Sequence, residues 1–147
     1  NNLWMIPKHF FVPDIVERRN PLSPTAQRAG WVGCNILFYR IPVQGRIGII
    51  RDRVLEDKDL VVAQARRAAH LYAESIEERG WLLDVLNCVN RIEKPVFELG
   101  EIYGFESWLS QKHPQNHNVR PKIRQQLQVL RDRGFLEFTG RGTYRKI

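Results

Sequence analysis

Lys122, Arg124, Gln125, Gln128 and Arg131 stand close together near the C-terminus, and their side chains are of the types that read base edges. Arg pairs with guanine O6 and N7, and Gln with adenine N6 and N7, each through two hydrogen bonds. With Ile123 placed toward a core and about 100° taken per helical residue, Arg124, Gln125 and Gln128 point away from it. Lys122 then lies toward one edge of that face and Arg131 toward the other. Further on, Arg141 sits inside Thr139-Gly140-Arg141-Gly142, and Arg145 and Lys146 follow. Cations at the tip and return strand of a hairpin are drawn to the phosphates flanking a groove.

Other spacings also carry chemical meaning. Pro13-Asp14 followed by Glu56-Asp57-Lys58 fits the bare pattern of a nuclease in which two carboxylates and a lysine converge on a divalent metal that activates water. Glu56 to Lys58, however, reads as a solvated, all-charged turn. His113 and His117 are four apart, as two zinc ligands on a helix would be, yet Pro114 makes the segment a turn and no cysteine pair lies nearby. It reads as a polar loop. Gly140-Arg141-Gly142 is not followed by a helix, so it reads as a hairpin turn rather than a phosphate cradle. Cys34 and Cys88 both have apolar neighbours and read as small core residues. Neither a catalytic set nor a metal site is assigned to this chain.

These residues need elements to hold them. Leu3 to Ile6, Val32 to Tyr39 and Arg46 to Ile50 are apolar runs bounded by Pro and Gly, so residues 1–55 read as strands and loops. The connection from Glu17 to Trp31 is long and basic, and a loop of that length is usually functional or disordered. Residues 56–79 are charged and rich in Ala, which predicts a connector helix broken by Gly80. Trp81, Val85, Cys88, Val89 and Ile92 predict a helix over 81–92. Phe97 and Leu99 flank Glu98 in the alternation of a short strand. A second helix is expected over about 100–111, then a turn at His113 to Asn118. A third helix, capped by Asn118 or Arg120 with Pro121 in its first turn, buries Ile123, Leu127 and Leu130 and ends at Gly134. The order helix, strand, helix, helix, hairpin over residues 80–147 is that of a winged helix-turn-helix, whose helix after the turn enters the major groove.

The whole chain supports a polyanionic partner. Its 147 residues are 43% hydrophobic and 27% charged, with 23 Lys and Arg against 16 acids. From Asn118 onward eight basic residues face two acids, nearly the whole chain's excess of +7. That concentration falls where a recognition helix and wing belong. No apolar run approaches the roughly 20 residues of a membrane span, and no secretory signal is visible. Two cysteines cannot build a disulfide framework, and a reducing cytoplasm is the expected compartment. The chain opens Asn1-Asn2-Leu3, and is expected to be a piece of something longer.

Three runs carry a resemblance: Pro21-Leu22-Ser23-Pro24-Thr25-Ala26-Gln27-Arg28-Ala29-Gly30-Trp31-Val32-Gly33-Cys34-Asn35-Ile36, Lys122 to Asp132, and Gly140 to Lys146. They resemble the DpnI-type methyl-directed restriction endonucleases, the dam-replacing proteins. The resemblance is weak over residues 56–79 and over His113 to Asn118. It implies an α+β chain in which residues 1–55 are the end of a PD-(D/E)xK nuclease domain and residues 80–147 are its winged helix. It implies double-stranded DNA with N6-methyladenine in GATC as the partner, a monomer in the bacterial cytoplasm, and no membrane or small-molecule substrate. Magnesium and a structural zinc belong to the full-length family enzymes. Their catalytic aspartate, Glu-x-Lys pair and zinc cysteines are expected upstream of Asn1. By residue pattern alone Trp31 reads as a core tryptophan. The resemblance instead aligns it with the tryptophan that touches the adenine methyl groups, in a loop that also carries Arg28. A free-standing winged-helix regulator, and an intact nuclease using Asp14, Glu56 and Lys58, are the alternatives.

Overall fold

A computed structural model describes all residues, 1–147. The N-terminal segment holds two small antiparallel sheets. In the first, β1 (Leu3–Met5), β4 (Ile47–Arg51) and β5 (Val54–Leu55) lie in the order β1-β4-β5. In the second, β2 (Val16–Arg18) pairs with β3 (Cys34–Ile36), Val16 facing Ile36 and Arg18 facing Cys34. The predicted second strand is thus only three residues long, because Phe38–Arg40 closes into a 3-10 turn. β2 was not expected: Val16-Glu17-Arg18 is exposed throughout, so it has no buried face to impose an alternating pattern. Cys34 is exposed on the same ribbon. This corrects its reading as a core residue, since a two-stranded ribbon has too little cover to bury either strand.

The helical region departs from the expected boundaries. α1 spans Lys58–Ala69 and begins where Asp57 accepts a hydrogen bond from the Leu60 amide at 3.0 Å. α2 spans Ile76–Arg91, so Gly80 lies inside it instead of breaking it. The start signal is Ser75, whose Oγ accepts from the Glu78 amide at 3.0 Å. That cap, followed by Glu77 and Glu78 in the first turn, outweighs the cost of about 1 kcal/mol that a helical glycine carries. The connector is therefore α1 plus a turn, and the last four of residues 56–79 already belong to α2.

α2 is the centre of the molecule. Trp81 through Leu86, Cys88 and Val89 are all buried, and a helix apolar nearly all round must be covered on every side. Phe10, Ile15, Ile41 and Ile47 of the N-terminal segment share one core with it and with Ile102, Ile123 and Leu127. The two parts of the chain are thus packed together.

Beyond α2 come β6 (Val96–Glu98), α3 (Leu99–Tyr103), α4 (Glu106–Lys112), α5 (Val119–Asp132), β7 (Leu136–Gly140) and β8 (Thr143–Lys146). The single helix expected over 100–111 is split. A reciprocal capping box between Glu98 and Glu101 starts α3, and Gly104 ends it after five residues. β8 runs between β6 and β7, which completes the three-stranded sheet of a winged helix. Gly134 ends α5 with φ +82°, a conformation glycine adopts without strain.

Candidate nucleic-acid interface

α5 is positioned by the buried stripe Val119, Ile123, Gln126, Leu127 and Leu130. Asn118 occupies the N-cap position, but its side chain does not cap. Asn116 Oδ1 takes up the Asn118 amide instead, at 2.7 Å. Opposite the buried stripe, Arg120, Arg124, Gln128 and Arg131 are exposed at helical spacing. Lys122 is half-buried and Gln125 exposed. Both line a shallow cleft against Glu78 and Leu82 of α2, which puts them on the flank of this face.

Two residues that sequence reasoning left out organise the face. The Tyr103 hydroxyl accepts a hydrogen bond from Arg124 Nη1 at 2.7 Å. Arg120 lies over the Tyr103 ring, 4.8 Å from its centroid, and its Nε donates to Glu106 at 2.7 Å. One tyrosine of α3 thus orients two guanidiniums of α5. The signal available in sequence was only that Arg120 stands four residues before Arg124, on the same side of the helix.

The wing carries three of the expected cations in three different states. Arg141 lies exposed at the tip without a carboxylate partner. The tip is anchored by the Leu99 amide, which donates to the Gly142 carbonyl at 2.8 Å. Arg145 is exposed and paired with Glu137 at 3.1 Å. Lys146 is withdrawn: its Nζ donates to the Ile92 carbonyl, and burial pushes its pKa below the usual lysine value. Its ammonium is thus engaged with the backbone at the end of α2, unlike the guanidinium of Arg145. Alternate residues of a strand face opposite ways, so Lys146 shares the core side with buried Tyr144 while Arg145 faces out. Arg131 pairs with Asp132 at 2.9 Å and lies 4.4 Å from the centre of the exposed Phe138 ring, linking α5 to the wing.

Trp31 is not a core tryptophan; it is 53% exposed. Its loop is closed by backbone hydrogen bonds from the Leu22 amide to the Trp31 carbonyl at 2.9 Å and from the Gly30 amide to the Leu22 carbonyl at 3.1 Å. The indole lies across Gly33, where a Cβ would come within 2.8 Å of two ring atoms. Arg28, also exposed, sits in the same loop, and its carbonyl accepts the Trp31 amide at 3.1 Å.

The metal-dependent alternatives do not fit the donors present. The Asp14 carboxylate is taken by Lys112 at 2.8 Å and Arg40 at 3.3 Å, whereas Glu56 pairs with Arg51 at 3.0 Å. These carboxylates serve different cations and do not converge. His113 Nε2 donates to Asp84 at 2.7 Å and its ring stacks on Trp81 with centroids 4.0 Å apart, so it is not paired with His117. No three His, Cys, Asp or Glu side chains gather where they could hold a metal ion. No helix is long and apolar enough to cross a membrane.

Two family models match the chain. Residues 77–146 match the Dam-replacing HTH domain, and residues 1–74 match the Dam-replacing family. Ser75 and Ile76, between the two matches, are the N-cap and first residue of α2. The matched helix-turn-helix contains the exposed α5 face and the wing. These matches support methylation-dependent DNA binding in a restriction context. The chain belongs to the Dam-replacing family.

Proposed function

We propose that the chain recognises double-stranded DNA at GATC sites whose adenines carry N6-methyl groups, as the reading part of a methyl-directed restriction system. The observation that carries this reading is Trp31, an exposed indole seated on Gly33 in a tightly hydrogen-bonded loop. A side chain already fixed in position loses little entropy when it meets a ligand. An N6-methyl group projects into the major groove as an apolar knob, much as the thymine methyl does. In GATC the two adenines lie in adjacent base pairs on opposite strands. Their methyl groups are close together, so one indole covers both and one copy of the chain serves one site.

The other residues divide by chemistry. Arg124 and Gln128 face outward on α5 and suit base edges, with Gln125 at the flank of that face. Arg28, Lys122, Arg131, Arg141 and Arg145 suit phosphates. Lys146 has no part in it.

The test is a titration of the chain against unmethylated, hemimethylated and fully methylated GATC duplexes at one salt concentration. Affinity should rise with each methyl group. Trp31→Ala should remove about 1–2 kcal/mol of that preference, the value of the apolar area two methyls bury, with an unchanged circular dichroism spectrum. Equal affinity for all three duplexes would reject the reading. An unaltered preference in Trp31→Ala would move methyl reading to α5.

A further inference from the structure

A second basic surface involves no residue of α5 or the wing. A cleft of about 470 Å³ opens where the N-terminal segment meets α2 and α4. Asp14, Arg40 and Arg46 line it from the N-terminal segment, and Arg91, Trp108 and Lys112 from the two helices. Its walls are tied together. Asn87 Nδ2 donates to the Arg40 carbonyl at 2.9 Å, and Gln44 and Asn90 exchange two amide hydrogen bonds of 3.0 and 2.9 Å. Lys112 bridges Asp14 at 2.8 Å and the buried Asp84 at 2.5 Å.

Four cations line this cleft against one carboxylate. Asp14 is shared by Arg40 and Lys112, which leaves Arg46 and Arg91 with no acidic partner. Arg46 is half-buried and held in place: its Nε donates to the Ile41 carbonyl at 2.6 Å and Nη2 to the Tyr39 carbonyl at 2.7 Å. Its guanidinium lies over the Phe38 ring at 5.1 Å, and Nη1 has no protein acceptor. Arg91 lies 4.9 Å from the centre of the Trp108 ring. An oriented, partly desolvated guanidinium without a counter-charge is costly until an anion approaches it, and burial pushes the Arg46 pKa down accordingly. The Nη1 donor of Arg46 and the guanidinium of Arg91 are of the type that charge-assisted hydrogen bonds to phosphate oxygens use. The cleft is wide enough to admit a backbone phosphate together with its flanking sugars.

We infer that this cleft binds a phosphate of a DNA strand, a backbone contact separate from those of α5 and the wing. The inference rests on the proposed reading of the chain as a DNA-binding protein. It gives the N-terminal segment a part in holding DNA beside that of the winged helix.

The experiment compares Arg91→Glu with Arg66→Glu, the latter an exposed α1 residue with no ion pair and no place in the cleft. Both change net charge equally. Binding of the whole chain to a labelled GATC duplex is followed by anisotropy over a range of salt. Arg91→Glu should weaken binding by about tenfold more than Arg66→Glu, the loss of one charge-assisted contact, and should lower the log–log salt slope by about one. Equal effects of the two substitutions would overturn the inference. The Trp108 indole N–H resonance identifies the source of the phosphate. It should shift on adding the duplex and stay in place with millimolar dAMP or inorganic phosphate. Saturation by dAMP or phosphate would instead assign a free-ligand site and overturn the strand. Wild-type binding without methyl preference removes the functional reading and leaves this test intact. Failure to bind any duplex overturns both.

Discussion

Arg124 is steered by the Tyr103 hydroxyl, a contact between α3 and α5 that no helical wheel of α5 contains. Tyr103→Phe keeps the ring beneath Arg120 and removes only that acceptor. The expected outcome is a loss of about 0.5–1.5 kcal/mol in binding to a specific duplex, the net value of one hydrogen bond, with an unchanged unfolding midpoint. Calorimetric titration alongside a thermal melt separates the two. The cysteines differ just as sharply from each other. Cys34 is exposed on the β2–β3 ribbon, whereas Cys88 is buried in α2. Burial, reinforced by the neighbouring Asp84 carboxylate, pushes the Cys88 thiol up to about 12. The thiolate is the reactive form, so a colorimetric thiol reagent should modify Cys34 alone in the native chain and both cysteines in denaturant. Rapid modification of Cys88 in the folded protein would contradict its environment.

Among the elements, the wing makes the clearest division of labour. Its tip is anchored to the start of α3 through Leu99 and Gly142, and the strand period of two sends Arg145 outward and Lys146 inward. Arg141→Ala should weaken binding to all duplexes alike and flatten the log–log salt dependence by about one unit, because one phosphate contact releases about one counterion. Lys146→Ala should leave that slope unchanged and lower stability instead, since it removes the donor held by the Ile92 carbonyl. A salt titration of both variants, read against their melting curves, decides between the two roles. α3 and α4 show why short helices are harder to delimit than long ones. Their boundaries rest on a capping box and one glycine rather than on an extended apolar stripe.

The molecule as a whole is joined through polar as well as apolar contacts. Asp84 of α2 holds Lys112 at 2.5 Å and His113 at 2.7 Å, and Lys112 reaches on to Asp14. His9 ties the N-terminal segment to α1, its Nε2 lying 2.8 Å from the Ala68 carbonyl in a buried site. Desolvation there pushes the His9 pKa below its usual value, the main opposing influence being that hydrogen bond. The unfolded chain therefore binds a proton at His9 that the folded chain resists. Stability is fully present above the ordinary histidine pKa of about 6.5 and is lost as pH falls below it. Urea unfolding between pH 7.5 and 5 should show this decline, and His9→Gln should flatten it. A decline of equal size in His9→Gln would assign the proton uptake to other groups.

The sequence by itself determined the winged helix. Ile123, Leu127 and Leu130 recur at a spacing only a helix can bury on one side, Gly134 supplies the left-handed end, and the basic excess after Asn118 marks the opposite, exposed face. Those signals are local, and each lies within a few residues of the feature it controls. Tertiary structure decided whatever depended on partners distant in the chain. Trp31 lies on the surface because its indole rests on Gly33 in a closed loop, a packing its neighbouring apolar run concealed. α2 starts after Ser75 through a local cap, a signal that Gly80 masked, while its packing begins only at Trp81. Asp14 joins Lys112 across nearly a hundred residues, and Arg46 is left without an acid. A charged residue's type is local, but whether its charge is neutralised depends on which chain segments the fold brings beside it.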